Sequence, residues 1–323
     1  MSQANSQDTE KELALKLQEG KIDTEDKIGG CQEACRPGTM KTICWNICGL
    51  GSPRATRRLW YLLKQHKPQM VFFMETKIDG KRMEKFQRRY GFENGIDVGA
   101  EGSRGGICMA WKTGITVVLK NFSRNHIDVM VKDENFNEKW RFTGFYGSPY
   151  VQDKNASWNL LRQLGKDQNH PCLVCGYFNE IMYFFEKSRG QSREEKRMEA
   201  FREVLNECQL MDVGYMGVWF TCEGGNLPET NIKERLNRGV ANEKWMQLFP
   251  NGTIHHLTHT ISDHYPLLIS TNSGKSSNRS QSFKFEAWWI MEESFEQEVR
   301  IAWESSDGSI CEKLDRLKFS LVR

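Results

Sequence analysis

No stretch of the 323 residues approaches the roughly 20 consecutive apolar positions that a membrane helix needs, so a spanning segment is not expected. The first residues, Met1 to Lys16, are polar and acidic and lack the apolar centre of a secretory signal. The expectation is a protein that stays inside the cell, in nucleus or cytoplasm, without a membrane partner. A strong excess of one charge is also missing: 45 basic and 42 acidic residues leave a formal net charge of +3. That balance excludes a histone-like basic body and requires any nucleic-acid surface to be local. No internal repeat and no low-complexity array is present. The ten cysteines are scattered through a long chain with no export signal, so they read as reduced thiols. Metal-ligand spacing is missing too: His255, His256 and His259 have no matching cysteine or acidic set. Cys172 and Cys175 sit in an apolar run, where that offset sends their side chains to opposite faces, and read as core. The glycine expected of a phosphate-binding loop before Gly274-Lys275-Ser276 falls at Ile269.

What is present is a succession of short apolar strands that each deliver a polar residue at the end. Residues 1–39 form a polar extension, disordered or weakly helical. At Lys41 the character changes, and Thr42 to Trp45 reads as a strand ending at Asn46. Ser52 and Pro53 then suit the cap and first turn of a helix. Met70 to Met74 is a continuous apolar strand followed by Glu75, and Lys81 to Tyr90 an amphipathic helix. Strands are predicted over 106–111, 115–119, 127–132 and 140–146, separated by turns, which suggests antiparallel meanders. A helix over 158–164 leads to the buried strand Leu173 to Cys175, which breaks at Gly176 and presents Asn179. A helix over 194–209 follows, then short strands at 220–221, 232–236 and 265–270. Residues 273–282 read as a small polar linker, and 283–323 as a helical connector with Phe295, Val299 and Trp303 on one stripe. Alternating strands and helices with several hairpins predict an α/β, four-layer sandwich: two facing mixed β-sheets flanked by helices.

Asn46, Glu75, Tyr146, Asn179 and the Asp263-His264 pair each fall at or near an end of a predicted strand, and strand ends on one rim converge in space. Their chemistry suits phosphodiester hydrolysis with a divalent metal. A hard cation such as Mg²⁺ takes oxygen ligands, for which Glu75 is the candidate. His264 beside an acid can stabilise charge or move a proton near neutral pH, while Asn and Tyr donors grip phosphate oxygens.

The runs Thr42-Ile43-Cys44-Trp45-Asn46, Met74-Glu75-Thr76, Tyr146-Gly147-Ser148-Pro149, Gly176-Tyr177-Phe178-Asn179-Glu180, Glu234-Arg235-Leu236-Asn237-Arg238 and Ser262-Asp263-His264 carry a resemblance. They are similar, in order, to the motifs of the endonuclease/exonuclease/phosphatase superfamily, and most of all to the apurinic-like endonuclease domain of plant LINE-type non-LTR retrotransposons. The resemblance covers residues 40–272, and the tail resembles the connector before a reverse transcriptase. It implies a metal pair at Asn46 and Glu75, with Mg²⁺ as the ion and Mn²⁺ as the alternative, and phosphate contacts from Tyr146 and Asn179. It places His264 beside the scissile phosphate, with Asp263 orienting it. DNA is the implied partner of a monomer without a small-molecule cofactor.

Four positions depart from the pattern, two of them where it expects acids. Tyr177 stands where the resemblance expects the Asp that orients or deprotonates the attacking water, and Asn237 stands where it expects a second Asp. Cys222 replaces a usual Trp, and Cys48 a usual Arg. A tyrosine is no anionic base near neutral pH, and general-base assistance is worth about 10²- to 10⁴-fold. The expectation is therefore a weakened enzyme; the alternatives are an inactive DNA- or metal-binding remnant and a sibling phosphatase or abasic-site activity. Glu180 is the nearest acid in sequence, but its offset from Tyr177 in a strand points it to the other face.

Overall fold

The computed structural model describes residues 39–100, 105–133, 138–225, 231–258, 262–272 and 295–305, with positions 310, 313 and 317. The expected linker at 273–282, the extension before Thr39 and residues 283–294 of the connector lie outside the described residues.

The chain opens on β1 (Thr39–Asn46), which runs parallel to β2 (Met70–Met74) in the register Asn46 to Met74. Between them lies α1 (Pro53–His66), where the Ser52 hydroxyl accepts from the Ala55 amide at 3.1 Å and so satisfies an otherwise orphan donor. Helix α2 (Gly80–Arg89) follows, capped in the same way by Asp79, whose carboxylate accepts from the Arg82 amide. Then come β3 (Asn94–Val98), β4 (Ile107–Trp111), β5 (Ile115–Ser123), β6 (His126–Asp133) and β7 (Lys139–Tyr146). After α3 (Lys154–Gly165) the chain enters β8 (Cys172–Tyr177), then β9 (Lys187–Ser188) and α4 (Glu195–Glu207). The remaining elements are β10 (Met211–Asp212), β11 (Met216–Gly217), β12 (Cys222–Gly224), β13 (Ile232–Glu234), β14 (Asn237–Ala241), α5 (Glu243–Leu248), β15 (Thr253–His256), β16 (Leu267–Asn272) and α6 (Phe295–Glu304).

Two mixed sheets result. The first has the order β11-β15-β16-β1-β2-β4-β3, the second β10-β14-β8-β7-β6-β5, and β12-β13-β9 forms a small third sheet. Strand alternation sorts the side chains of β1 and β2 to two faces. Ile43, Trp45, Val71 and Phe73 turn outward and pack with Leu59, Leu62, Leu63, Met83 and Phe86 of α1 and α2. On the second sheet, Cys172 and Val174 turn outward to Trp158, Leu161, Phe201, Val204 and Leu205 of α3 and α4. The inner faces meet so closely that a Cβ on Gly144 of β7 would strike the Phe72 ring, and one on Gly239 of β14 would strike Ile254. Cys44 and Cys175 are neighbours across this contact, and burial first of all raises the Cys44 thiol well above its ordinary pKa. Helices, sheet, sheet and helices make the four layers that the pattern predicts.

Differences from the sequence reading are local. The strand predicted over 232–236 is broken: β13 ends at Glu234 and pairs in the small sheet, while β14 starts at Asn237 and pairs with β8. Arg235 and Leu236 form the crossing between them. The strand expected at Phe220-Thr221 begins instead at Cys222, and β3, β9, β10, β11 and β15 are additional.

Candidate active site

Parallel pairing puts the ends of β1, β2, β7 and β8 on one rim. Asn46 closes β1 beside Met74, so Glu75 is the first residue past β2. Tyr146 and Tyr177 are register partners at the ends of β7 and β8, and Asn237 is the register partner of Tyr177 on the other side. Backbone strain gathers here: Cys48, Glu75, Lys77 and Asn179 all have positive φ, between 51° and 58°. Non-glycine residues held in that region are uncommon and cluster at functional sites.

The two sheets are joined across the rim by one short bond, from the Tyr146 hydroxyl to Glu75 Oε1 at 2.7 Å. Asn46 Nδ2 donates more weakly to the same oxygen at 3.5 Å, and the Lys77 ammonium lies 3.0 Å from Glu75 Oε2. Burial alone would raise the Glu75 carboxyl, but the Tyr146 and Lys77 hydrogen bonds outweigh it and hold it below its ordinary value. Glu75 is therefore an anion in place for a cation. Burial and then Glu75 raise the Tyr146 phenol, so it keeps its proton and remains a donor.

The second half of the rim is pinned to the first through Ser262, whose hydroxyl donates to the Asn46 carbonyl at 3.0 Å. The His264 amide donates to that hydroxyl, and Trp45 Nε1 donates to the His264 carbonyl at 2.8 Å. His264 is buried, 5 % exposed, and burial lowers its pKa against the opposing pull of Asp263. Its Nε2 is 3.7 Å from Asp263 Oδ1, beyond a direct hydrogen bond, and its Nδ1 has no partner. The orienting contact expected from Asp263 is thus only a loose approach, 3.7 Å from a half-exposed carboxylate.

Tyr177 fills the space in front of this histidine. Its ring meets His264 edge-on with centroids 4.5 Å apart and lies 6.0 Å from the Tyr146 ring. Burial, then Cys222 and the neighbouring acids, push its phenol well above the ordinary value, so no base is available there near neutral pH. Asn237 is buried beside it, with Nδ2 donating to the Tyr265 carbonyl at 3.3 Å and Oδ1 without a partner. Asn179 arrives at the rim, but its amide donates to the Gly147 carbonyl at 2.7 Å, which fixes the loop after β7.

Glu180 is no substitute base, though not for the reason its offset suggests. Strand β8 ends at Tyr177, so strand alternation does not reach Glu180. Its carboxylate is instead held by Arg197 at 2.8 Å and Arg193 at 3.7 Å, with 1 % of the side chain exposed.

Three supporting residues carry no signal that sequence reasoning used. Lys77 follows Glu75 by two positions and neutralises it. Lys154 is buried on α3 and donates to the Phe178 carbonyl at 3.2 Å and the Asn179 carbonyl at 2.6 Å. Thr221, fully buried, accepts from the Leu236 and Asn237 amides at 2.9 Å and holds the β13 to β14 crossing. His256, from the histidine run, stacks on Tyr215 at 4.3 Å and offers Nδ1 to the Val218 carbonyl, a structural role. His259 lies outside the described residues.

Among the described residues no helix is long and apolar enough to cross a membrane. No curated protein matches the chain. Solved structures do. The AP endonuclease LMAP from Leishmania major aligns with a TM-score of 0.58 at 15 % identity, covering 73 % of this chain and 88 % of that one. The 3′ phosphatase NExo from Neisseria, bound to product DNA hairpin, aligns at 0.55 and 15 % identity over 72 % and 99 %. The endonuclease domain of TRAS1, a telomere-specific non-LTR retrotransposon, aligns at 0.53 and 13 % identity over 73 % and 100 %. At such identities the likeness is one of fold. The family model of the Endonuclease/Exonuclease/phosphatase family matches residues 43–239, more than half of the sequence. The chain belongs to the endonuclease/exonuclease/phosphatase family.

Proposed function

We propose that this chain is the endonuclease domain of a LINE-type non-LTR retroelement of plant affinity, a metal-dependent phosphodiesterase on DNA whose hydrolytic step is weakened in this copy. The observation that carries the reading is the Tyr177 ring packed against His264, at the position where the resemblance expects an acid. The rest of the constellation supports a nuclease ancestry: one carboxylate, Glu75, is held ionised by a phenol, an amide and an ammonium at the edge of two sheets.

The residues fit a hard divalent cation. Glu75 is partly open, and the Lys77 ammonium beside Oε2 already marks a position that stabilises positive charge. Glu75 would hold Mg²⁺, or Mn²⁺ as the alternative, with the remaining positions taken by water and substrate oxygens. The ion would neutralise charge building on the phosphate. Tyr146 stays protonated and can donate to a phosphate oxygen once it releases Glu75. His264, neutral near pH 7 because of its burial, can donate a hydrogen bond to the phosphate but carries no fixed positive charge. Tyr177, held protonated by burial, supplies no group at its position to take a proton from water.

DNA contact is supported by aromatic rings on the loops that carry Asn179 and Cys222. Phe184 is 67 % exposed and Trp219 48 % exposed, joined through Phe185. Exposed rings of this kind stack on unpaired bases without reading sequence. The second reading, an inactive remnant that only binds DNA or metal, is favoured by the Asn179 amide, which is committed to the Gly147 carbonyl. Nicking of supercoiled plasmid by the purified chain, with Mg²⁺ or with chelator, tests the proposal. Slow nicking that stops with chelator and in Glu75→Ala supports a weakened enzyme. DNA binding with no Mg²⁺-dependent nicking supports the remnant.

A further inference from the structure

A second set of ligand atoms lies at the other end of the rim. Strand β12 carries Cys222 opposite His264 in an isolated antiparallel bridge, and the Glu223 amide donates to the Asp263 carbonyl at 2.7 Å. These backbone contacts bring the Cys222 thiol, an Asp263 carboxylate oxygen and a His264 ring nitrogen all within 4.8 Å of one another. The His264 nitrogen on the Asp263 side is Nε2, 3.7 Å from Asp263 Oδ1, and the ring's other nitrogen, Nδ1, is buried with no hydrogen-bond partner. The neighbouring Asn237 Oδ1 is unpartnered as well.

We propose that Cys222, Asp263 and His264 form a zinc site, distinct from the Glu75 site, with its fourth position open to water. The donors decide the metal. Thiolate and imidazole favour Zn²⁺ and its neighbours in the first transition row over Mg²⁺, which takes oxygen alone. Three protein ligands with one open position are the usual number for zinc sites that bind a further ligand. Ligands about 2.0–2.3 Å from zinc stand roughly 3.5 Å apart in a tetrahedron, so the set closes by modest side-chain movement. Asp263, half-exposed, has room to make it.

Charge supports the assignment. As the S–Zn bond forms, the thiol proton passes to solvent, and the dication compensates thiolate and carboxylate together. Ligation also ties down His264, so bound Zn²⁺ acts against its use on a phosphate. Both the site and that inhibition go beyond the hydrolase reading.

The full chain, stripped with chelator, is titrated with Co²⁺ and then Zn²⁺. The site predicts one equivalent of Co²⁺ with a thiolate-to-metal charge-transfer band, displaced by Zn²⁺. Cys222→Ser is expected to abolish the band and weaken Zn²⁺ binding about tenfold or more. Glu75→Ala is expected to leave both unchanged, which separates this site from the one proposed for Mg²⁺. A zinc-edge X-ray absorption spectrum of the parent is expected to show one sulfur with nitrogen and oxygen neighbours and needs no variant. Absence of one-equivalent binding, a band that persists in Cys222→Ser through another of the ten cysteines, or a spectrum without sulfur overturns the proposal.

Discussion

The Tyr177 ring stands edge-on to the His264 imidazole, 4.5 Å between centroids and 74° between planes, where it covers the histidine from the β8 side. Its contribution is steric and apolar, because burial keeps its hydroxyl protonated. Tyr177→Phe is therefore expected to leave any Mg²⁺-dependent nicking within about twofold of the parent, since no proton transfer by the phenol is removed. A fall of tenfold or more in a plasmid assay would mean that the hydroxyl takes part.

Glu75 is kept ionised by Tyr146 against the opposing effect of burial. Tyr146→Phe removes the 2.7 Å hydrogen bond and is expected to raise the Glu75 pKa, read by carbon-detected NMR titration of labelled carboxylates. Divalent-ion affinity at pH 5 to 6 should weaken in the same variant. An unchanged titration would show that Lys77 alone holds the charge.

Beneath the Asn237 position, Glu186 and Asp212 accept from Arg235 and Arg238 in a buried network, with Arg238 fully buried and 2.7 Å from Glu186. Both arginines flank Asn237, so the network fixes where β14 begins. Arg238→Met leaves the buried Glu186 and the partly exposed Asp212 short of a partner and is expected to cost about 3–5 kcal/mol in urea denaturation. A cost below about 1 kcal/mol would mean that the network does not fix the start of β14.

Lys154 gives a pH signature. Burial lowers its pKa to about 7, whereas an unfolded lysine keeps its proton to about 10.4. Between these values the unfolded chain binds more protons, so this residue makes stability rise with pH from about 7 toward 10, by at most about 1.4 kcal/mol per pH unit. Denaturant midpoints of parent and Lys154→Met across pH 7 to 9.5 should show that rise in the parent alone. Parallel curves would mean that the ammonium stays charged against the Phe178 and Asn179 carbonyls.

Much of the layered fold was legible because its signals are local. The apolar run Met70 to Met74 is buried on both faces, and Ser52-Pro53 starts α1 as capping chemistry requires. The rim was legible for a related reason: a polar residue at the end of a buried strand has nowhere else to go, and that rule reaches Asn46, Glu75 and Tyr146, whereas His264 sits ahead of β16 and is reached through the resemblance. β3 escaped because Asn94-Gly95 reads as a turn and only Ile96 of its residues is buried. β15 escaped because two of its four residues are histidines. The break at Arg235-Leu236 depends on ion pairs to Glu186 and Asp212, more than 20 positions away, which no local pattern contains. The same holds for the Asn179 amide, committed to Gly147, and for Lys154, whose partners are carbonyls. Cys222 read as an isolated substitution, since only the bridge to His264 reveals its neighbours.

The central claim is that the scaffold is that of a nuclease and that its hydrolytic step is weakened at Tyr177 and Asn237. The most direct test is the single-turnover rate of plasmid nicking with Mg²⁺ for the parent, Tyr177→Asp and the double variant Tyr177→Asp, Asn237→Asp. Restoring a general base is expected to raise the rate by about 10²- to 10⁴-fold, abolished by chelator and by adding Glu75→Ala. A double variant that folds, as judged by its melting transition, and nicks no faster than the parent would contradict the account.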